Sequence, residues 1–173
     1  MANARKILIV DDDTDLRDTL VEQLSLHEEF EASAVDTGAK GATAAKANSP
    51  DLVLMDVGLP DTDGREVVRS LRKGGFKAPI IMLTGHSEKR RVTVARDAGV
   101  TEFLAKPISA KGLYQRIMNV VANPRPFIKT KTYFGPDRRR NTTNTYIGPE
   151  RRGSGEVEVL QQPSLLEKAR STI

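Results

Sequence analysis

The sequence predicts an α/β fold built on a doubly wound, five-stranded parallel sheet in the order 2-1-3-4-5, with five helices and a largely irregular C-terminal tail. Three observations point there. Short β-rich apolar runs alternate with segments of helical apolar spacing, the pattern of a parallel sheet with helices on both faces. Those runs end abruptly on polar groups, and in an open parallel sheet the chemistry sits just outside the carboxyl ends of the strands. The alternation stops near residue 123, where Pro124 and Pro126 mark a boundary.

The elements follow in order. Lys6–Val10 (KILIV) reads as a buried strand that runs into Asp11, Asp12 and Asp13. Asp13 or Thr14 can cap a helix carrying Leu16, Leu20, Val21 and Leu24 at helical spacing. Glu31–Val35 is the second strand. Asp36 or Thr37 then starts an alanine-rich helix that runs through Ala47, and Asn48-Ser49-Pro50 breaks it. Leu52–Asp56 is the third strand and ends on a carboxylate. A loop with Gly58, Pro60 and Asp61 leads to the helix Arg65–Lys73, stopped by Gly74-Gly75. Ile80–Leu83 is the fourth strand and ends on Thr84. Ser87 caps a helix through Ala98, stopped by Gly99. Thr101–Ala105 is the fifth strand, followed by Lys106-Pro107. Ser109–Asn123 is the last helix, with Leu113, Ile117, Val120 and Val121 as its apolar stripe.

Composition narrows the class. The 173 residues allow one ordinary domain plus extra segments, and an apolar content of 38% implies that part of the chain is not packed. There is no cysteine, which excludes disulfides and thiolate metal sites and fits a reducing compartment. No apolar run approaches a membrane span, and MANARK lacks the apolar core of a signal peptide. The expectation is a cytoplasmic protein without membrane insertion. The net charge of +4 is unevenly spread: residues 1–123 carry 17 Lys+Arg and 18 Asp+Glu, residues 124–173 carry 10 and 5. The tail is therefore suited to meet something anionic.

With strands one, three and four adjacent, Asp11, Asp12 and Asp56 meet at one sheet edge with Thr84 and Lys106. Three clustered carboxylates repel unless a cation neutralises them. Oxygen ligands without Cys or His favour Mg²⁺ or Mn²⁺. A hydroxyl and an ammonium opposite the acids suit phosphoryl oxygens, and aspartate is a covalent phosphoryl acceptor. The chemistry this describes is phosphoryl transfer to a carboxylate.

Residues 5–123 resemble the CheY-like receiver domain of two-component response regulators. ILIVDDD, LVLMDVGLPDTDG, IIMLTGH and FLAKP stand in the right order and spacing. The resemblance implies a flavodoxin-like sheet, Asp56 as phospho-acceptor, and Mg²⁺ held by Asp12, Asp56 and the Gly58 backbone carbonyl, with Asp11 completing the acidic pair. It implies Thr84 as switch hydroxyl, Lys106 as phosphate-contacting lysine, Phe103 as switch aromatic, and a cis Lys106-Pro107 bond. The implied partners are a histidine kinase or histidine phosphotransfer protein, and a downstream protein bound on the face made by the Ser87–Ala98 helix, the fifth strand and the Ser109–Asn123 helix. Such a protein is not an enzyme beyond its own phosphoryl transfer and autodephosphorylation. The blander readings make Asp13 and Asp15 helix N-terminal acids, Asp61 and Asp63 loop residues, and His27 and His86 too far apart for a metal site. His86 stands where the family varies residues that influence phosphate lifetime.

The tail, residues 124–173, shows no helical or strand period. It holds a tandem repeat, Tyr-x-Gly-Pro-acid-Arg-Arg, at residues 133–139 and 146–152. Arginine binds phosphate and the guanine edge, and tyrosine stacks on bases. The repeat resembles the arginine-rich extension of chemotaxis-type regulators from alphaproteobacteria that bind cyclic di-GMP. That resemblance makes Arg138, Arg139, Arg151 and Arg152 candidate nucleotide contacts and Tyr133 and Tyr146 candidate stackers; Arg140 has no counterpart, since Gly153 stands there. The bland alternative is a basic linker docking on an acidic protein face. Ser164-Leu165-Leu166-Glu167 carries a capping-box signal for a short terminal helix.

Three functions compete. The first is a phosphorylation-switched interaction module of a two-component system, of the kind found in chemotaxis. The second is a DNA- or RNA-binding regulator using the basic tail; duplex DNA is disfavoured because the tail lacks a helix pair for a helix-turn-helix. The third is an aspartate-dependent phosphatase, which would need a second acid two residues after Asp56, where Gly58 stands.

Overall fold

A computed structural model of the chain describes residues 3–85, 98–137 and 158–160. Five parallel strands form one sheet: β1 (Arg5–Val10), β2 (Phe30–Val35), β3 (Leu52–Asp56), β4 (Ile80–Thr84) and β5 (Glu102–Ala105), in the order β2-β1-β3-β4-β5. Four helices are present among the described residues: α1 (Thr14–Ser25), α2 (Gly38–Asn48), α3 (Gly64–Lys73) and α4 (Ala110–Ala122). The additional helix expected over 87–98 falls outside the described residues except for Ala98, and so does the capping-box segment 164–167.

Strand alternation divides the core. Ile7, Ile9, Leu52, Leu54, Ile81 and Leu83 turn to one face, where α1 contributes Leu20 and Leu24, and α4 contributes Leu113, Ile117, Val120 and Val121. Leu8, Val10, Val53, Met55, Ile80 and Met82 turn to the other, against Ala45 of α2 and Val67, Val68 and Leu71 of α3. A strand buried on both faces needs an uninterrupted apolar run, which is why β1, β3 and β4 read so plainly. Helix starts follow their caps. Asp13 accepts from the Leu16 N–H, Thr37 from Lys40, Asp63 from Arg65 and Ser109 from Gly112.

The expectation of an irregular tail is corrected over residues 127–137. Strands β6 (Phe127–Lys129), β7 (Phe134–Pro136) and β8 (Glu158–Leu160) form a second, antiparallel sheet in the order β7-β6-β8. Each strand has three residues, too short to show a period. Phe127 and Ile128 are adjacent yet both buried, so no alternation could announce them. Arg125 ties the approach to this sheet through Glu102 at 2.8 Å.

The junction between the two sheets is built around Arg72, in the last turn of α3 and 2% exposed. Its Nε donates to the Gly99 carbonyl at 3.0 Å, and Nη1 donates to the carbonyls of Phe76 and Ala78 at 2.7 and 2.8 Å. Its guanidinium lies 4.9 Å from the Phe127 ring centroid and 5.8 Å from that of Phe76. Burial lowers its pKa to about 9. Tyr133 donates its hydroxyl to the Pro136 carbonyl at 2.9 Å, curling the first tail repeat onto itself beside Gly99 and Gly135.

Removing the guanidinium strands three carbonyls and uncovers Phe127. Arg72→Ala should therefore lower the unfolding free energy by about 2–4 kcal/mol in a urea titration, with Arg72→Lys in between. Stability unchanged in Arg72→Ala would show that the junction contributes nothing to the fold.

Candidate functional site

The site is assembled at the carboxyl edge of the parallel sheet. β1 ends at Val10, so Asp11 and Asp12 emerge beside the end of β3, where Asp56 stands. The carboxylates of Asp11, Asp12 and Asp56 present oxygens within 4.8 Å of one another. Asp11 is 0% exposed and Asp56 is 7% exposed, whereas Asp12 is exposed. β5 ends at Ala105 and delivers Lys106, whose Nζ lies 2.9 Å from both Asp11 Oδ2 and Asp56 Oδ1. The Lys106 N–H donates to the Thr84 carbonyl at 2.8 Å, so β4 and β5 place Thr84 and Lys106 together. The Lys106-Pro107 bond is cis, as expected.

The chain is fixed at Asp11 and after Asp56. Asp11 Oδ1 accepts from the Asp13 N–H at 3.0 Å, and Arg17 Nη1 donates to the Asp11 carbonyl at 2.7 Å. Asp11 Oδ2 faces the Lys106 ammonium but is otherwise buried without a hydrogen-bond donor. After Asp56 the chain is anchored by Val57 N–H to the Leu83 carbonyl at 3.3 Å and Gly64 N–H to the Val57 carbonyl at 2.8 Å, with a bridge between Gly58 and Asp63. Gly58 is exposed at the mouth of the site.

Charge does not balance here: when ionised, three carboxylates face one ammonium. Burial pushes the Asp56 carboxyl above its ordinary range, and Asp11 and Asp12 add to that, against the opposing pull of Lys106. For Lys106, burial works to lower the value, but contacts to Asp11 and Asp56 outweigh it and hold the ammonium above its ordinary range. The Asp56 shift comes first from burial, with the neighbouring acids adding to it; the Lys106 shift comes from its two acid contacts. A largely buried, oxygen-only cluster of three carboxylates with one ammonium fits a hard divalent cation. The residues able to hold it are Asp11, Asp12 and Asp56.

Of the other expected site residues, Phe103 is half-buried on β5 and packs against the α2–α3 side of the core. Tyr133 lies in the Arg72 junction, remote in the fold from the acids, with its hydroxyl engaged. Arg138, Arg139, Tyr146, Arg151, Arg152 and His86 fall outside the described residues. Three residues that matter were not singled out from sequence. Arg72 breaks the apolar stripe of α3 beside Leu71, a signal that was present. Arg17 and Asp61 gave none, because their partners are backbone groups.

A carboxyl whose folded pKa stands above its unfolded one makes the fold most stable while protonated. That stability is full below the ordinary value of 3.8 and falls as pH rises from there through the folded pKa. Lys106 contributes stability up to its ordinary 10.5, lost as pH rises through its raised folded value. In thermal melts at about pH 7 without divalent cations, Asp56→Asn should melt above the wild type, and the gap should close below about pH 4. Equal melting at neutral pH would show that Asp56 carries no burden there.

Comparisons with known proteins give one answer. The model of the response regulator receiver domain matches residues 7–118. The transcriptional regulatory protein GltR of Pseudomonas aeruginosa is 37% identical over 118 residues, 67% of this chain and 48% of that protein. Response regulator MprA of Mycobacterium sp. (strain KMS) is 32% identical over 121 residues, 70% of this chain and 52% of that one. The chain thus spans about half the length of these relatives. Among solved structures, the CheY-like receiver domain protein of Methanospirillum hungatei superposes with a TM-score of 0.64 at 28% identity, covering 68% of this chain and 93% of that one. With the family match running from β1 into α4, the chain belongs to the response regulator receiver domain family.

Proposed function

We propose that this chain is a phosphorylation-switched signalling protein in which Asp56 accepts a phosphoryl group from the phosphohistidine of a histidine kinase or phosphotransfer protein. The observation that carries the reading is the convergence of Asp11, Asp12 and Asp56 within 4.8 Å on the Lys106 ammonium. An Asp56 carboxylate oxygen attacks phosphorus in line, the P–N bond breaks, and the imidazole leaves with the electron pair. Lys106 is freed from Asp56 to pair with a phosphoryl oxygen, and the Thr84 hydroxyl donates to another. Mg²⁺, when held by Asp12, Asp56 and the Gly58 carbonyl beside Asp11, shields the negative charge of the incoming group. The chain's chemistry ends with this transfer and its hydrolysis; it turns over no separate substrate.

The switch follows from packing. Thr84 drawn toward the acyl phosphate vacates space at the end of β4, and half-buried Phe103 turns into it. The face of β5 and α4 then changes its affinity for a downstream protein.

Two outputs through the extension stand beside this. DNA or RNA is supported by GltR's description as a transcriptional regulatory protein and by the positive charge of residues 124–173, against the extension's lack of a helix pair for a helix-turn-helix. Cyclic di-GMP is favoured by the tandem arginine repeat, although Tyr133 already uses its hydroxyl internally. A gel shift at physiological salt and a calorimetric titration with cyclic di-GMP separate them. Heat of binding that disappears in Arg151→Ala/Arg152→Ala supports the nucleotide; no heat at high protein concentration removes it.

The central test uses a small phosphodonor in Mg²⁺, read by intact mass. The wild type should gain one phosphoryl group and Asp56→Asn none, while Lys106→Ala should slow labelling on the order of a hundredfold. Labelling of Asp56→Asn at the wild-type rate would sink the reading.

A further inference from the structure

A helix leaves its first four N–H groups without partners inside the helix. In α2 the N–H groups of Gly38, Ala39 and Lys40 are met by side chains from two sources. Thr37 is the local cap: its hydroxyl accepts from Lys40 at 3.2 Å and its carbonyl accepts from Gly41 at 2.9 Å. The N–H groups of Gly38 and Ala39 are met by Asp61, through Oδ1 at 2.8 Å and Oδ2 at 3.0 Å. Asp61 lies 23 residues further on, in the loop that leaves Asp56 and carries Gly58. An exposed loop acid thus has both oxygens bound by backbone N–H groups at the positive end of a helix. Those two bonds hold its carboxyl below the ordinary range.

The fit around this bond pair is close on both sides. A Cβ on Gly38 would stand 2.4 Å from Thr62 Cγ2 and 2.9 Å from Val67 Cγ2, so the loop and α3 rest directly on the start of α2. A Cβ on Gly41 would stand 2.8 Å from Val10 Cγ2, and Val10 immediately precedes Asp11. One turn of α2 therefore bears on the end of β1 and on the loop after β3, the two segments that supply the acids. The loop's own ends are fixed at Val57 and Gly64, and Asp61 ties its outer turn between them.

We propose that Asp61 is a positioning residue of the phosphoryl site, clamping the loop after β3 to the first turn of α2 so that the Gly58 carbonyl and Asp56 are presented together to a divalent cation. The inference rests on the phosphoryl-acceptor reading of Asp56. Asp61 touches neither cation nor phosphoryl group; it acts through the backbone of residues 57–63. Loss of the clamp lets Gly58 drift relative to Asp56, and cation affinity falls. The chemical step, once the site is filled, is little changed.

The test compares two variants of the full chain. Asp61→Ala removes the clamp; Thr37→Ala weakens the same helix end through its local cap and leaves the loop tie in place. Asp61→Asn keeps one acceptor and serves if Asp61→Ala fails to fold. Mg²⁺ affinity is measured by calorimetry, amide exchange of Gly38, Ala39 and 57–63 by NMR without metal, and phosphorylation by a small donor across Mg²⁺ concentrations. Asp61→Ala should weaken Mg²⁺ about tenfold, with the labelling rate at saturating Mg²⁺ within about threefold of wild type. Its loop amides should exchange faster, and Asp61→Asn should fall between. Thr37→Ala should bind Mg²⁺ as the wild type does. Wild-type affinity in Asp61→Ala, or an equal loss in Thr37→Ala, overturns the proposal while leaving the acceptor reading intact. A wild type that takes neither Mg²⁺ nor the phosphoryl group removes both.

Discussion

Three carboxylates gathered at the end of a parallel sheet, with one ammonium between two of them, is the constraint on which the rest of the molecule depends. Like charges at this spacing are costly in a buried edge, and Asp11 and Asp56 are almost without solvent. Lys106 offsets part of the repulsion through two contacts at 2.9 Å. The remainder is a standing preference for positive charge. A divalent cation satisfies that preference, and it makes the edge receptive to an anionic phosphoryl group that an acid cluster would otherwise repel. Helix caps, strand ends and the loop after β3 serve to keep these groups from relaxing apart.

Holding them together takes contributions at several removes. Arg17 fixes the Asp11 carbonyl, the Thr84 carbonyl fixes the Lys106 backbone, and Asp61 fixes the loop through α2. None of these touches the reacting atoms. Each acts by giving a backbone group a defined partner, which removes alternatives to the geometry at the sheet edge.

The second organising centre is Arg72, far from the acids in the fold. It joins the end of α3 to the segments entering β4 and β5, because its carbonyl partners are Phe76, Ala78 and Gly99. Phe127 covers it from the extension. The start of the extension is thereby part of the receiver's packing. β4 and β5 begin at the same arginine that receives β6.

The sequence by itself determined the parallel sheet, its strand order, and the convergence of Asp11, Asp12, Asp56, Thr84 and Lys106. Those are legible because apolar runs buried on both faces end at fixed points, and the motifs at those ends stand in the order and spacing of the receiver family. Only the tertiary structure decided what Arg72, Asp61 and residues 127–137 do. Arg72 interrupts an apolar stripe, which marks it in the sequence, but its partners and those of Asp61 are mostly backbone carbonyls and amides, which every residue possesses, so no side-chain pattern names them. A three-residue strand carries no period, and an acid 23 residues from the helix it caps looks like any loop acid until the chain brings the two together.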